Sequence, residues 1–213
     1  MYELRDAISS VDELRALLGE VPVTQRDKQV DKIDEHCRRW IERSPFLVVA
    51  SAGTDGTLDV SPRGDPPGFV KILDEHTLAI PDRPGNRRGD TLHNVLHNPQ
   101  LALVFFVPRR GEVLRVGGRA SLVCDPDLLA SMTVKQRQPK LAIVLRVDRA
   151  MFHCAKAIIR SSLWQPDEWP SIDGLPSYAQ ALMDHAAPPF TLEQMQQRVT
   201  NNEEQRLYDD KPF

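Results

Sequence analysis

The stretch LALVFFVPRRGEVLRVGGRASLV, residues 101–123, decides the fold class. Leu101–Val107 is apolar without interruption, the composition of a strand covered on both faces. Pro108–Gly111 turns the chain, and Glu112–Val123 returns as a second strand. Gly117 and Gly118 inside that return mark a bulge or a close approach of backbone or ligand, because a glycine weakens a strand unless something needs the space.

Working outward, the same grammar repeats. Phe46–Ser51 and Thr57–Ser61 flank Asp55-Gly56, a strong hairpin signal because both residues tolerate positive φ. Val70–Leu73 and Thr77–Ile80, split by Asp74, Glu75 and His76, form the next hairpin. Arg88–His97 reads as a helix closed by Asn98-Pro99, Asp125 caps a short helix through Met132, and Leu141–Val147 is the last clear β run; Ala155–Leu163 reads as helix or loop. Many strands at short spacing with few, short helices predict a mainly β fold, an antiparallel barrel with flanking helices, and not a doubly wound sheet.

Both ends are helical in pattern. Ser10 with Glu13 is a capping box before Leu14, Leu17 and Leu18, giving a peripheral helix that stops at Gly19. Val30, Ile33, Cys37, Trp40 and Ile41 recur at helical spacing, with Pro45 beyond them. Pro166, Pro170, Gly174 and Pro176 mark a linker, followed by helical patterns over Tyr178–Asp184 and Thr191–Leu207. The organisation is thus an N-terminal helical extension (1–27), a barrel domain (28–166) and a C-terminal helical extension (167–213).

Composition narrows the function. The 213 residues carry a net charge of only −3, so a broad nucleic-acid footprint is not expected. The three cysteines, Cys37, Cys124 and Cys154, lack a CxxC pair and read as reduced and buried. Met1–Asp6 has no apolar leader core, and no window approaches about 18 consecutive apolar residues, so a cytoplasmic protein that spans no membrane is the expectation.

The basic residues are concentrated. Arg63 ends one β pattern, and Arg83, Arg87 and Arg88 follow another through Pro84, Gly85 and Asn86. Planar guanidinium forks match phosphate oxygens, and a loop leading into a helix start adds backbone N–H groups and a favourable dipole. A phosphomonoester can be held this way without a P-loop.

The segments SPRGDPPGFV, IPDRPGNRRGD, LRVGGRA and HCAKAIIRSSLW, in this order, resemble the pyridoxamine 5′-phosphate oxidase-like flavin split barrels, and more narrowly a subfamily of FMN-dependent proteins. The resemblance spans Asp31 to Trp164. It implies an antiparallel Greek-key split barrel, FMN as cofactor, and a homodimer with FMN at the subunit interface. It places Arg63, Gly64, Pro81, Asp82, Asn86, Arg87 and Arg88 at the cofactor, with Lys156, Arg160 and Trp164 reaching the site of the partner chain. It implies an FMN-dependent oxidoreductase acting on a small organic substrate, with a nicotinamide nucleotide as candidate reductant; the alternative is a non-catalytic flavin or haem carrier on the same barrel. The glutamine that commonly contacts the flavin ring is absent near Glu112-Val113. No catalytic side chain is assigned.

Competing motifs are weaker. His93 and His97 stand four apart, but a third metal ligand is missing, so no metal is expected. His153 and Cys154 point to opposite faces if extended and cannot form a base–nucleophile pair. Arg206-Leu207-Tyr208 reads as a chance likeness to a substrate-binding Arg-Leu-His, since the histidine is missing and a polar helix intervenes.

Overall fold

The computed structural model describes residues 2–209. Its seven strands are β1 (Phe46–Ala52), β2 (Leu58–Gly64), β3 (Lys71–Asp74), β4 (Thr77–Pro81), β5 (Gln100–Phe106), β6 (Val113–Val123) and β7 (Ala142–His153). They form one sheet in the order β2-β1-β5-β6-β7-β4-β3, and every neighbour is antiparallel. The helices are α1 (Val11–Leu18), α2 (Val23–Arg26), α3 (Glu35–Ile41), α4 (Asp90–His97), α5 (Pro126–Ser131), α6 (Lys156–Arg160), α7 (Tyr178–Ala186) and α8 (Leu192–Gln205). None of the described helices is long and apolar enough to cross a membrane.

The sheet is rolled. β2 lies at one end of the strand order and β4 next to the other end, yet Arg63 of β2 reaches Asp82 just beyond β4 at 2.7 Å. This brings the two ends together as a split barrel. The inward residues Leu47, Val49, Leu78, Ile80, Leu103, Phe105, Leu114 and Leu145 fill the barrel, and Ile33, Cys37 and Ile41 join the same core from the α3 side. Burial of this apolar surface is the main source of stability. It also pushes the Cys37 thiol up to about 12.

Several elements differ from the sequence reading for identifiable reasons. The helix expected from Val30 begins at Glu35, because the Asp34 carboxylate caps it by accepting from the Cys37 N–H at 2.8 Å; that bond holds the Asp34 carboxyl below its usual range. Val30 instead makes a backbone bridge to Ala150. At the N-terminus, Ser10 caps α1 as expected, but the Glu13 carboxylate takes the N–H of Ser9 and not that of Ser10. β5 is fully buried on one face only: Leu101, Leu103 and Phe105 are inside, while Ala102, Val104 and Phe106 are half-buried. Of the cysteines, Cys37 alone is buried; Cys124 and Cys154 are exposed.

The glycine pair behaves as its position suggests. The β6–β7 register shifts between Gly117 and Gly118, and a Cβ on Gly118 would run into the Arg146 carbonyl oxygen. No side chain fits there without moving backbone. Gly118→Ala should therefore cost about 1–3 kcal/mol of stability, read as a lower urea midpoint; an unchanged midpoint would mean the two strands do not need this approach.

Candidate functional site

The site sits at the seam of the barrel and follows from strand alternation. In β2, Asp59, Ser61 and Arg63 point inward and are half-buried, while Leu58, Val60, Pro62 and Gly64 point out. Arg63 stands near the end of β2, as the sequence pattern suggests, and pairs with Leu47 of β1. Across the seam, β4 ends at the buried Pro81 and the chain runs through residues 82–89 into α4.

Two ion pairs of opposite polarity stitch the seam. Arg63 Nη1 donates to Asp82 Oδ1 at 2.7 Å, and Arg83 Nε donates to Asp65 Oδ2 at 2.6 Å. Arg83 also donates from Nη2 to the Met132 carbonyl at 2.7 Å, so its fork is committed to protein partners. Arg63 is not. Its Nε is buried and has no hydrogen-bond partner among the described residues. A buried guanidinium N–H left unbonded is costly, and in a cleft it marks the place for an acceptor.

The loop beyond Pro81 is shaped by its own residues. Asn86 Oδ1 accepts from the Arg88 N–H at 3.0 Å, a turn that fixes the loop. Arg87 and Gly89 adopt φ of +62° and +71°, the left-handed region. Gly89 precedes α4 without a side-chain cap, which leaves the first N–H groups of the helix open. Arg88 donates from Nε to Asp90 at 2.7 Å and is otherwise well exposed. The neighbouring Asp90 carboxylate raises the Arg88 pKa further. Thr91 donates to Asp59 at 2.7 Å, tying the helix start to β2.

Together these segments line a cleft of about 530 Å³ that contains Arg63, Gly64, Pro81, Asp82, Asn86, Arg87 and Arg88. The seven residues expected from the first two segments are thus brought together. The three from the late segment are elsewhere in the same chain. Lys156 and Arg160 are exposed on α6, and Trp164 donates from Nε1 to the Arg110 carbonyl at 2.7 Å, outside the cleft of its own chain.

The tail reaches the seam: Tyr208 donates its hydroxyl to the buried Asp65 at 2.5 Å, and both Arg83 and Lys135 lie 5.6 Å from its ring centroid. Burial, followed by the bond to Asp65, raises the Tyr208 pKa. The C-terminal extension therefore folds back onto the seam. The aspartate following the SPRG run is the available signal for a second ion pair; nothing local signals Tyr208. His97 Nδ1 lies 2.9 Å from the His93 carbonyl, and among the described residues there is no group of three His, Cys, Asp or Glu that could hold an ion.

A family model described as pyridoxamine 5′-phosphate oxidase matches residues 33–154. No curated protein matches the sequence. Among solved structures, HupZ of Group A Streptococcus is similar over 55% of this chain and 91% of its own, at 18% identity and a TM-score of 0.46. General Stress Protein 26 of Bacillus anthracis is similar over 54% of this chain and 88% of its own, at 13% identity and a TM-score of 0.42. An FMN-binding protein from Syntrophomonas wolfei is similar over 54% of this chain and 86% of its own, at 8% identity and a TM-score of 0.42.

Proposed function

The chain belongs to the pyridoxamine 5′-phosphate oxidase family, and we propose that it is an FMN-dependent oxidoreductase, active as a homodimer on a small organic molecule. The observation that carries this reading is the buried Arg63 Nε, without a hydrogen-bond partner among the described residues, inside a 530 Å³ cleft whose other wall supplies Arg87, Arg88 and an uncapped helix start. That donor set suits a phosphate monoester, and the volume falls in the range of about 300–1,000 Å³ usual for cofactor sites.

In this reading Arg63 and Arg88 grip the phosphate, Asn86 and Arg87 shape the loop around it, and Gly64, Pro81 and Asp82 form the adjoining walls. The Asp82 ion pair also keeps Arg63 oriented before ligand arrives, which lowers the ordering cost of binding. FMN when bound supplies the hydride and electron chemistry, so no catalytic triad is required of the chain.

The homodimer is supported by an uncovered apolar face. Phe46, Leu58 and Val60 are 40%, 77% and 66% exposed, and Ala50 and Phe106 lie beside them in register. This face runs directly into the cleft, because Val60 and Pro62 belong to both. A mate covering the face thus borders the cofactor and can contribute to its site. A twofold interface of this kind uses the same patch on both chains.

The test is a visible absorbance spectrum of purified protein with mass identification of what it carries, followed by FMN and riboflavin titrations. FMN bound well in preference to riboflavin is expected, as is oxidation or reduction of the bound flavin by a nicotinamide nucleotide or a small organic partner. Equal affinities would remove the phosphate site, and a flavin inert to every partner would leave a carrier.

A further inference from the structure

A second groove, of about 640 Å³, opens between α3, the end of β5, the β5–β6 turn and β7, and it shares no lining residue with the arginine cleft. Two aromatic rings form one wall. Trp40 meets Phe152 edge to face with centroids 5.3 Å apart, and both rings are only partly buried. The Trp40 Nε1 has no hydrogen-bond partner among the described residues, so the indole is held by packing against the core and by ring contacts. Arg110 lies 5.7 Å from the Trp40 ring centroid, and its backbone is anchored by the Trp164 indole at 2.7 Å.

The rim is basic. His36, Arg39, Arg43 and Arg110 line the groove against a single acid, Glu112. The arginines are only partly occupied: Arg39 Nε donates to Glu35 at 2.7 Å, Arg43 Nη1 donates to the Arg39 carbonyl at 2.9 Å, and Arg110 Nη2 lies 3.2 Å from Glu112. A guanidinium has five N–H donors, so each fork keeps several for a ligand. Flat apolar walls left open to water and ringed by arginine forks suit a flat ring that carries a carboxylate or phosphate. The ring displaces water from Trp40 and Phe152, and the forks take the anion. A neutral molecule would use the wall and waste the rim. A nucleic-acid polymer is disfavoured by the chain's net charge of −3.

We infer that this groove binds a planar organic anion, either an aromatic carboxylate or a phosphate ester of nucleotide type. The inference does not rest on the flavin reading, because none of its residues belongs to the arginine cleft.

The test uses the full-length protein saturated with FMN, so that the first cleft is filled. It is titrated with 2-naphthoate, with AMP and with neutral 2-naphthamide, followed by tryptophan fluorescence and calorimetry. At least one anion should bind once per chain and at least about tenfold more tightly than the amide, a gap of about one decade in Kd. The naphthoate and AMP arms separate the two ligand classes. Arg39→Ala combined with Arg43→Ala, two exposed positions, should weaken that anion at least about tenfold and leave FMN content unchanged. Unchanged anion affinity in this variant, equal binding of the amide, or failure of both anions to bind below about 1 mM would overturn the inference. If the protein takes up no FMN, the same titrations on an Arg63→Ala, Arg88→Ala background, which disables the first cleft, keep failure of the flavin reading distinct from failure of this one.

Discussion

Replacing Arg63 and Arg88 together by alanine should weaken FMN binding by about 2–4 kcal/mol, roughly thirtyfold to a thousandfold in Kd. The two residues are not expected to contribute equally. The Arg63 side chain is 18% exposed and lies where water screens poorly, whereas that of Arg88 is 71% exposed. A charge-assisted hydrogen bond in the first setting is worth about 1.5–3 kcal/mol; an exposed ion pair in the second is screened by water and contributes little. Removing Arg63 also leaves the Asp82 carboxylate unpaired beside the phosphate, which adds repulsion to the lost attraction. The measurement that isolates the phosphate is the gap between FMN and riboflavin affinities. The gap should collapse in the double variant while riboflavin affinity stays near native. A variant that loses both ligands equally has lost its fold or its ring pocket, and one that keeps the full gap shows that the phosphate lies elsewhere.

The barrel is legible in the sequence because its strands carry strong alternation and clear turns. Where alternation fails, a strand looks shorter than it is. The apolar pattern of β7 stops at Val147, but the strand continues to His153 because β6 supplies eleven residues of pairing along it. The bulge opposite Gly117 and Gly118 inserts Asp148 and puts it and Arg149 side by side in solvent, which destroys the period-two signal just there. The α3 pattern looks too long for the opposite reason. Val30 and Ile33 fit a helical period by position, but Asp34 closes the helix locally, and periodicity does not register a cap.

The candidate site divides along the same line. The cleft segments 60–64 and 81–88 are recognisable because each is dense in Arg, Pro and Gly, and the rolled sheet only has to bring two strand ends together. The partners that hold them are not recognisable. Asp65 and Arg83 stand 18 positions apart and meet only because the sheet curls, and Tyr208 reaches Asp65 across 143 positions. Side chains that act by position in the fold, and not by local composition, leave no mark in a linear pattern. The apolar face of β1, β2 and β5 is hidden differently: its residues read as buried by their own barrel, and the structure leaves Phe46, Leu58 and Val60 uncovered.

That uncovered face leads to the prediction with the largest structural reach. The chain of 24.1 kDa should run as a homodimer of about 48 kDa, and the late segment should complete the mate's cleft. Lys156 and Arg160 are exposed on one turn of α6 and take no part in the cleft of their own chain. Two adjacent cations repel each other, so a nearby anion supplied across an interface would give them a role. The decisive sample is a heterodimer with Arg63→Ala and Arg88→Ala on one chain and Lys156→Ala and Arg160→Ala on the other. If Lys156 and Arg160 serve the mate, both sets of lesions fall in one cleft, and the other stays intact. FMN titration should then find one tight site per dimer. If they serve their own chain, each cleft carries one set of lesions and no tight site remains. Two tight sites would mean that neither pair of substitutions touches FMN, and a monomer binding FMN at full strength would remove the shared site altogether.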